Sequence, residues 1–465
     1  MERKKPFLLL VCLVAAMGGF LFGYDWVVVG GAKPFYEPYF GLTSPHLKGW
    51  GTSSALVGCI FGAVFCFLTA DKYGRRRLLI FSGFLFAVSA LGTAFSAEFW
   101  QYNLFRIAGG FAIGIALNLS PMYIAEMAPP DMRGKLVSVN QLMAMFGILA
   151  AQIVNWRISL LDTSLDANAT AEMIRESWNG QYGWRYMFGA QIVPSAIFFA
   201  LMIFMPESVR WLVKNGREAD ALPVLERMGG KEYAARECAC IRESVAEEMK
   251  MSSGSFSELL TGGMLKILGL GIFVAVLQQW CGMNVVFYYA ADIFEAAGYD
   301  LKALMLQIVV IGSIMVVSVL ITIALVDKIG RKFLMLLGLG SLATIYIVEG
   351  ILFACGVKGI AIVLLTLLSV AMYSLTLAPV VWVILSEIFP NRIRGAAMSL
   401  AVVALWIANF LLTYTFPAIK ESLGWTLNFW LYAAICAGGF VFLAAKLPET
   451  KGKSLEEIEK IILKK

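Results

Sequence analysis

The chain has 465 residues, 59% of them hydrophobic and only 15% charged, with a formal net charge of +6. That is too little charge to cover a soluble protein of this length, so a soluble enzyme or a nucleic-acid-binding domain is excluded. Apolar runs of 18 or more residues recur from end to end, each able to cross a hydrocarbon core of roughly 30 Å. The sequence reads as an all-α integral membrane protein, with its basic excess serving topology and lipid headgroups.

The first run follows MERKKP and continues with no small-residue cleavage site, so it reads as an uncleaved first helix. We place it over 7–31, ended by Lys33-Pro34, with Asp25 alone in its apolar length. Hydropathy, turn residues and charge then place helices at 49–70, 77–96, 99–126, 134–160 and 184–205. A polar stretch, Ser208 to Gly263, carries mixed charge at helical spacing and predicts short amphipathic helices against one membrane face. A second set of six follows at 266–297, 303–326, 332–355, 359–388, 395–419 and 424–447. The domains are therefore 1–205, a linker domain at 206–264, a second bundle at 265–448 and a tail at 449–465. Lys and Arg cluster in alternate loops, at Arg75-Arg76-Arg77, Arg133-Lys135, Arg331-Lys332 and Arg392-Arg394, which makes that side, with both termini, cytoplasmic.

Eight cysteines show no metal or disulfide spacing, and His46, the sole histidine, reads as a loop residue. No nucleophile–base pair, metal cluster or phosphate loop is visible, so the chain is not read as an enzyme and calls for no cofactor.

The two halves repeat. DKYGRR (Asp71 to Arg76) returns as DKIGRK (Asp327 to Lys332), AEMAPPDMRG as SEIFPNRIRG, and PESVRW as PETKGK, in the same order and on the same side. That is a duplication in parallel orientation, which suits two six-helix bundles rocking about a midplane site. Glu126 with Arg133, and Glu387 with Arg394, recur at the same spacing. With Asp71, Arg75, Asp327 and Arg331 they are read as a latch on the cytoplasmic side, beside the plainer reading of topology and solubility.

Asp25 lies about nineteen residues into its helix, and Arg106 about seven residues into the fourth, counted from the other side. Their depths match, and opposite charges at one depth offset the cost of burying either. Two functions fit: a static ion pair, or a carboxylate that takes and releases a proton. The midplane adds Gln141, then Gln278, Gln279, Asn284 and Tyr288 in LQQWCGMNVVFYY, Trp382 after Pro379, and Trp406. On a helix, Gln278 to Asn284 spans less than two turns, so Gln278, Gln279 and Asn284 or Tyr288 share a broad face. Amides and indoles suit a neutral polyol such as a sugar, and amides that only join helices are the plainer reading.

LFGYD, DKYGRR, PMYIAE, PESVRW, QQWCGMNVVFYYA, DKIGRK, PVVWVILSEIFP and PETKGKSLEE together resemble the sugar porter family of the major facilitator superfamily, over nearly the whole chain. The resemblance implies the twelve-helix major facilitator fold and proton-coupled monosaccharide uptake, D-xylose-like, through the inner (plasma) membrane by a monomer. It implies sugar contacts at Gln141, Gln278, Gln279, Asn284, Tyr288, Trp382 and Trp406, an aromatic at Phe22 that closes over the sugar, and a proton-coupling pair in Asp25 and Arg106. The sequence departs from the family's xylose carriers at Met315 and Leu405, where polar residues are expected, at Ile148, where a second fifth-helix glutamine is expected, and at Gln191, where a glutamate is expected. An uncoupled uniporter and a sugar-sensing receptor are the alternatives. The short tail after Pro448 argues against the receptor.

Overall fold

The computed structural model describes residues 5–165, 169–251, 262–390, 393–451, 457 and 462, with backbone alone at 5, 248–251, 262 and 323–328. Five long helices open the chain: α1 Lys5–Tyr39, α2 Pro45–Tyr73, α3 Arg75–Phe95, α4 Phe99–Met127 and α5 Arg133–Ser159. After α6 (Ala171–Glu176), the sixth span is built from a π turn at Asn179–Gly183, α7 (Trp184–Gly189) and α8 (Ile192–Phe204). The polar linker forms α9 (Val209–Lys214), α10 (Glu218–Gly229) and α11 (Lys231–Met251); it is helical as its charge pattern predicts, but α11, at 21 residues, is not short.

The second half is less regular. Its first span is broken into α12 (Gly262–Trp280) and α13 (Met283–Ala296), and α14 (Leu301–Ile329) and α15 (Arg331–Ala354) follow. The fourth is broken into α16 (Ile360–Leu375) and α17 (Leu377–Ile388). The last helix, α18 (Arg394–Lys446), has 53 residues. At 1.5 Å per residue it is roughly 80 Å long, far more than one crossing needs. Gly424, at φ 68°, reverses the chain within it, so α18 supplies the eleventh and twelfth spans of a two-bundle, twelve-span fold.

Three expectations give way here. The first helix does not stop at Lys33-Pro34 but runs to Tyr39 through Pro34 and Pro38. Gly30, whose carbonyl the Pro34 ring would crowd, packs so closely on α13 that a Cβ there would lie 2.7 Å from the Phe287 carbonyl oxygen. The extra length puts Asp25 in the middle third of the helix. His46 opens α2 instead of lying in a loop. The seventh span is not one helix either: Gly282, at φ 88°, ends α12 and starts α13 in the left-handed region.

The break at Thr376 lies just ahead of Pro379, which removes an N–H from the turn. The freed carbonyls find side chains on neighbouring helices. Thr322 Oγ1 donates to Leu375 O at 3.1 Å, and Gln278 Nε2 donates to Leu377 O and Ala378 O at 3.3 and 3.2 Å. Within the first half, α2 and α4 pack backbone to backbone: a Cβ on Gly110 would sit 1.7 Å from Ala55 O, and one on Gly58 2.0 Å from Ile107 O.

Candidate functional site

The structure brings Asp25 and Arg106 together. Asp25 is fully buried and Arg106 is 2% exposed. Arg106 Nη1 donates to Asp25 Oδ1, and Gln191 Nε2 donates to Asp25 Oδ2 at 3.1 Å. The guanidinium also lies over the Phe188 ring, 5.2 Å from its centroid. Gly109 leaves room for the carboxylate, since a Cβ there would press on Ser89 Oγ at 2.4 Å and Asp25 Oδ2 at 3.1 Å. Charge and hydrogen bonding thus offset the desolvation of both groups.

Beside this pair lies a cavity walled by Phe22, Asp25, Trp26, Arg106, Tyr288 and Trp406 among others. Phe22 stacks on Trp26 at 5.6 Å, and Trp26 meets the edges of Phe287 at 5.3 Å and Tyr288 at 6.4 Å. The wall therefore joins α1 of the first half to α13 and α18 of the second. The indole N–H of Trp406 is buried and has no partner in the protein, a donor free to meet a ligand oxygen.

The other predicted contacts are placed differently. Asn284 Nδ2 donates to Gln279 Oε1 at 2.6 Å across the Gly282 break, and the Gln278 amide holds the carbonyls of the α17 start. These three amides bind each other and the backbone, where a continuous helix would have turned them together. Gln141 and Trp382 are half-buried, and neither is part of the cavity wall. Met315 and Leu405 are buried among apolar neighbours.

At the face bearing both termini, the three repeated motifs of each half meet. Arg75 donates through Nε and Nη2 to Glu126 Oε1 at 3.1 and 2.9 Å, and through Nη1 to Asp71 Oδ1 at 2.9 Å. Glu207, from PESVRW, accepts the backbone N–H groups of Arg75 and Arg76, both at 3.0 Å. The second half repeats the pattern: Arg331 Nη2 is 3.1 Å from Glu387 Oε1, and Glu449, from PETKGK, accepts from the N–H groups of Arg331 and Lys332 at 3.0 and 3.2 Å. Each glutamate thus caps a helix N-terminus that follows a left-handed glycine, Gly74 or Gly330. Burial works against the charge of Glu449, but the N–H groups of Lys451, Arg331, Lys332 and Thr450 outweigh it and hold its carboxyl below the usual carboxylate range. Glu207 and Glu449 were not singled out from the sequence, although their recurrence after the sixth and twelfth spans was visible.

Two parts of the expected latch differ. Arg133 is exposed at the start of α5 and Arg394 Nε donates to Phe389 O at 3.2 Å, so Glu126 and Glu387 meet Arg75 and Arg331 instead. Pro129 and Pro130 turn the chain between α4 and α5 and carry Arg133 out to the surface. These pairs also lie inside one half, not between halves. The side chain of Asp327 lies outside the described residues.

An ion pair between halves lies at the opposite face. Lys33 Nζ on α1 lies 2.7 Å from Asp292 Oδ2 on α13 and 3.3 Å from Glu37 Oε1, and Lys420 Nζ reaches Asp292 Oδ1 at 2.9 Å. Lys33 also sits over the Tyr289 ring at 5.0 Å. Taking Lys33 as a helix stop hid this cluster. The signal was present, since Asp292 is a carboxylate within the apolar seventh span.

Comparison with known proteins agrees with this geometry. The family model for "Sugar (and other) transporter" matches residues 11–462. The chain is 36% identical over 464 residues to the arabinose-proton symporter of Bacillus subtilis (strain 168), covering 100% of this chain and 97% of that one. It is 34% identical over 495 residues to the D-xylose-proton symporter of Escherichia coli (strain K12), covering 98% and 96%. Among solved structures, the partially occluded inward-open conformation of the xylose transporter XylE from E. coli matches with a TM-score of 0.84 at 32% identity, over 97% of this chain and 100% of that one.

Proposed function

The chain belongs to the sugar (and other) transporter family, and on that premise we propose that it takes up a monosaccharide, a pentose or hexose, together with a proton by alternating access. The observation that carries this reading is the shared cavity: Phe22, Tyr288 and Trp406 border it with Asp25 and Arg106. A sugar arriving there touches the helix that holds the carboxylate, and protonation of Asp25 would release Arg106. Both events then bias the same movement of one half against the other.

In this reading the face with both termini is cytoplasmic and the membrane is the cell's inner membrane, in keeping with the loop arginines. Lys33 and Asp292 join the halves outside, and the pairs centred on Arg75 and Arg331 stiffen each half inside. The broken α12–α13 and α16–α17 spans supply the hinges, and on sugar arrival Gln278, Gln279 and Asn284 turn from their present partners to the ligand with Gln141 and Trp382. The chain works as a monomer in lipid, and its four parts are the domains 1–205, 206–264, 265–448 and 449–465.

Purified protein in liposomes tests the proposal. Under an inward proton gradient, a pentose or hexose accumulates above its outside concentration, and collapse of the gradient abolishes the accumulation. Failure of every pentose and hexose overturns the sugar reading. Equilibration without accumulation favours a second reading, the uncoupled uniporter, to which Gln191 lends weight: its donation to Asp25 adds a second fixed partner beside Arg106.

A further inference from the structure

We infer that Glu349 is the anionic ligand of a second site for one positive charge, a proton or a sodium ion, sealed inside the second bundle and separate from the sugar cavity. The site stands whether or not the sugar reading above does.

Glu349 is the only charged residue of α15 beyond Lys332. It lies about 8 Å along the axis from the end remote from the termini and is 1% exposed. Its hydrogen bond comes from α16, where Thr366 Oγ1 donates to Glu349 Oε1 at 2.8 Å. Glu349 Oε2 is buried and has no partner, and no lysine or arginine among the described residues engages the carboxylate. Asp25 and Asp292, also buried, each face a cation. A buried carboxylate without one is costly unless it binds a positive charge, and inside a membrane it marks a functional site by default.

The facing helix supplies a second observation. Tyr346, one turn before Glu349, lies 5.9 Å from the Phe429 ring and 6.3 Å from the Tyr432 ring of α18. Phe353, one turn after it, lies 5.5 Å from Phe429. Those contacts set Glu349 level with the turn of α18 that begins at Asn428. Neither end of the Asn428 amide has a partner, nor do the Tyr346 and Tyr432 hydroxyls, and none of the three residues is more than 3% exposed. Buried polar groups are rarely left so, and such a group of them on two facing helices marks a place where something polar binds. Cys281 and Cys436 also face Tyr346, so the titratable groups around the cluster are all acids and supply no positive charge of their own. A proton on Oε2 would give it a hydrogen to share with the unmet acceptors, and a sodium ion would take the same oxygens as ligands. None of these residues borders the sugar cavity. Occupancy holds α15, α16 and α18 together, which gives the second half a cation dependence of its own, apart from Asp25.

Infrared spectra and melting curves of the purified protein in nanodiscs test this, for wild type and Glu349→Gln at neutral pH, in choline and in sodium buffer. Wild type is expected to show one carboxylic-acid carbonyl band that Glu349→Gln lacks, unchanged by sodium, which assigns the charge to a proton. Loss of that band in sodium, with a sodium-dependent rise in Tm that Glu349→Gln lacks, assigns it to sodium. Spectra without the extra acid band in either buffer, and a Tm indifferent to sodium, leave a bare carboxylate and overturn the inference. The glutamine can still accept from Thr366, so the variant is expected to fold. If it fails to insert, Thr366→Val gives the second reading: removing the donor should shift the acid band, and an acid-carbonyl region identical to wild type overturns the inference as well.

Discussion

The two faces of the molecule treat charge in opposite ways. On the face away from the termini, the buried Lys33–Asp292 pair ties one half to the other, with Lys420 as a further partner. His46 and Tyr414, on α2 and α18, approach there too, at 3.4 Å. On the face with the termini, Arg75 and Arg331 keep their glutamates within their own halves. The contrast says which side is shut. Bonds between halves resist separation, whereas bonds inside a half make it move as one body. The structure is therefore closed where Lys33 sits.

Breaking the pair between halves should have the largest effect. Lys33→Met removes the cation from Asp292 while keeping its bulk. A buried pair that loses one partner costs on the order of 3 kcal/mol, and Lys420 offsets part of this. The expected result is a shift of roughly tenfold or more toward the conformation open on that face. Spin labels at the exposed positions Thr43 and Glu421 should report a new population at longer distance. An unchanged distribution would mean that the pair is incidental to closure.

The inner clusters should show a smaller and graded effect. Glu126→Gln takes the charge from a pair whose side chains are 7% and 9% exposed. Glu387→Gln does so in a pair that is 14% and 24% exposed. Charged hydrogen bonds contribute about 1.5–3 kcal/mol when well buried and less as water reaches them. Thermal unfolding of the purified variants should therefore place Glu126→Gln lower in Tm than Glu387→Gln, with spin-label distances unaltered. The reverse order would say that the two halves are not built alike.

The smallest effect is one of pH. The carboxyl of Glu449 is held below its usual range, so its contribution is present above the unfolded value of about 4.3 and lost as pH falls through the folded value. Wild type should lose stability on acidification below about pH 4 more steeply than Glu449→Gln. Parallel curves would remove Glu449 from the cap of α15.

Much of this was legible in the sequence. Twelve apolar runs, the basic loops and three recurring motifs define a duplicated helical bundle, because bilayer thickness and backbone satisfaction leave few alternatives. Asp25 and Arg106 stood out for the same reason, since charge in an apolar helix needs a partner. The breaks were harder to read. Pro379 marks one, but Cys281-Gly282 ends α12 through a backbone conformation that hydropathy does not record. Nor does a motif reveal where it points. Glu207 and Glu449 act through the backbone of loops far away in sequence, and Lys33 was masked by the proline beside it. Packing against α13 lets α1 run past that proline, and packing is not written in any one segment.

The central claim is that sugar and proton are handled in one cavity, and sugar-evoked proton movement tests it most directly. Adding the transported sugar to lightly buffered vesicles holding wild-type protein should make the medium alkaline as protons enter with it. Asp25→Asn should abolish that signal while sugar counterflow continues. A wild type that moves sugar with no pH change, or an Asp25→Asn variant as alkalinising as wild type, would contradict the account.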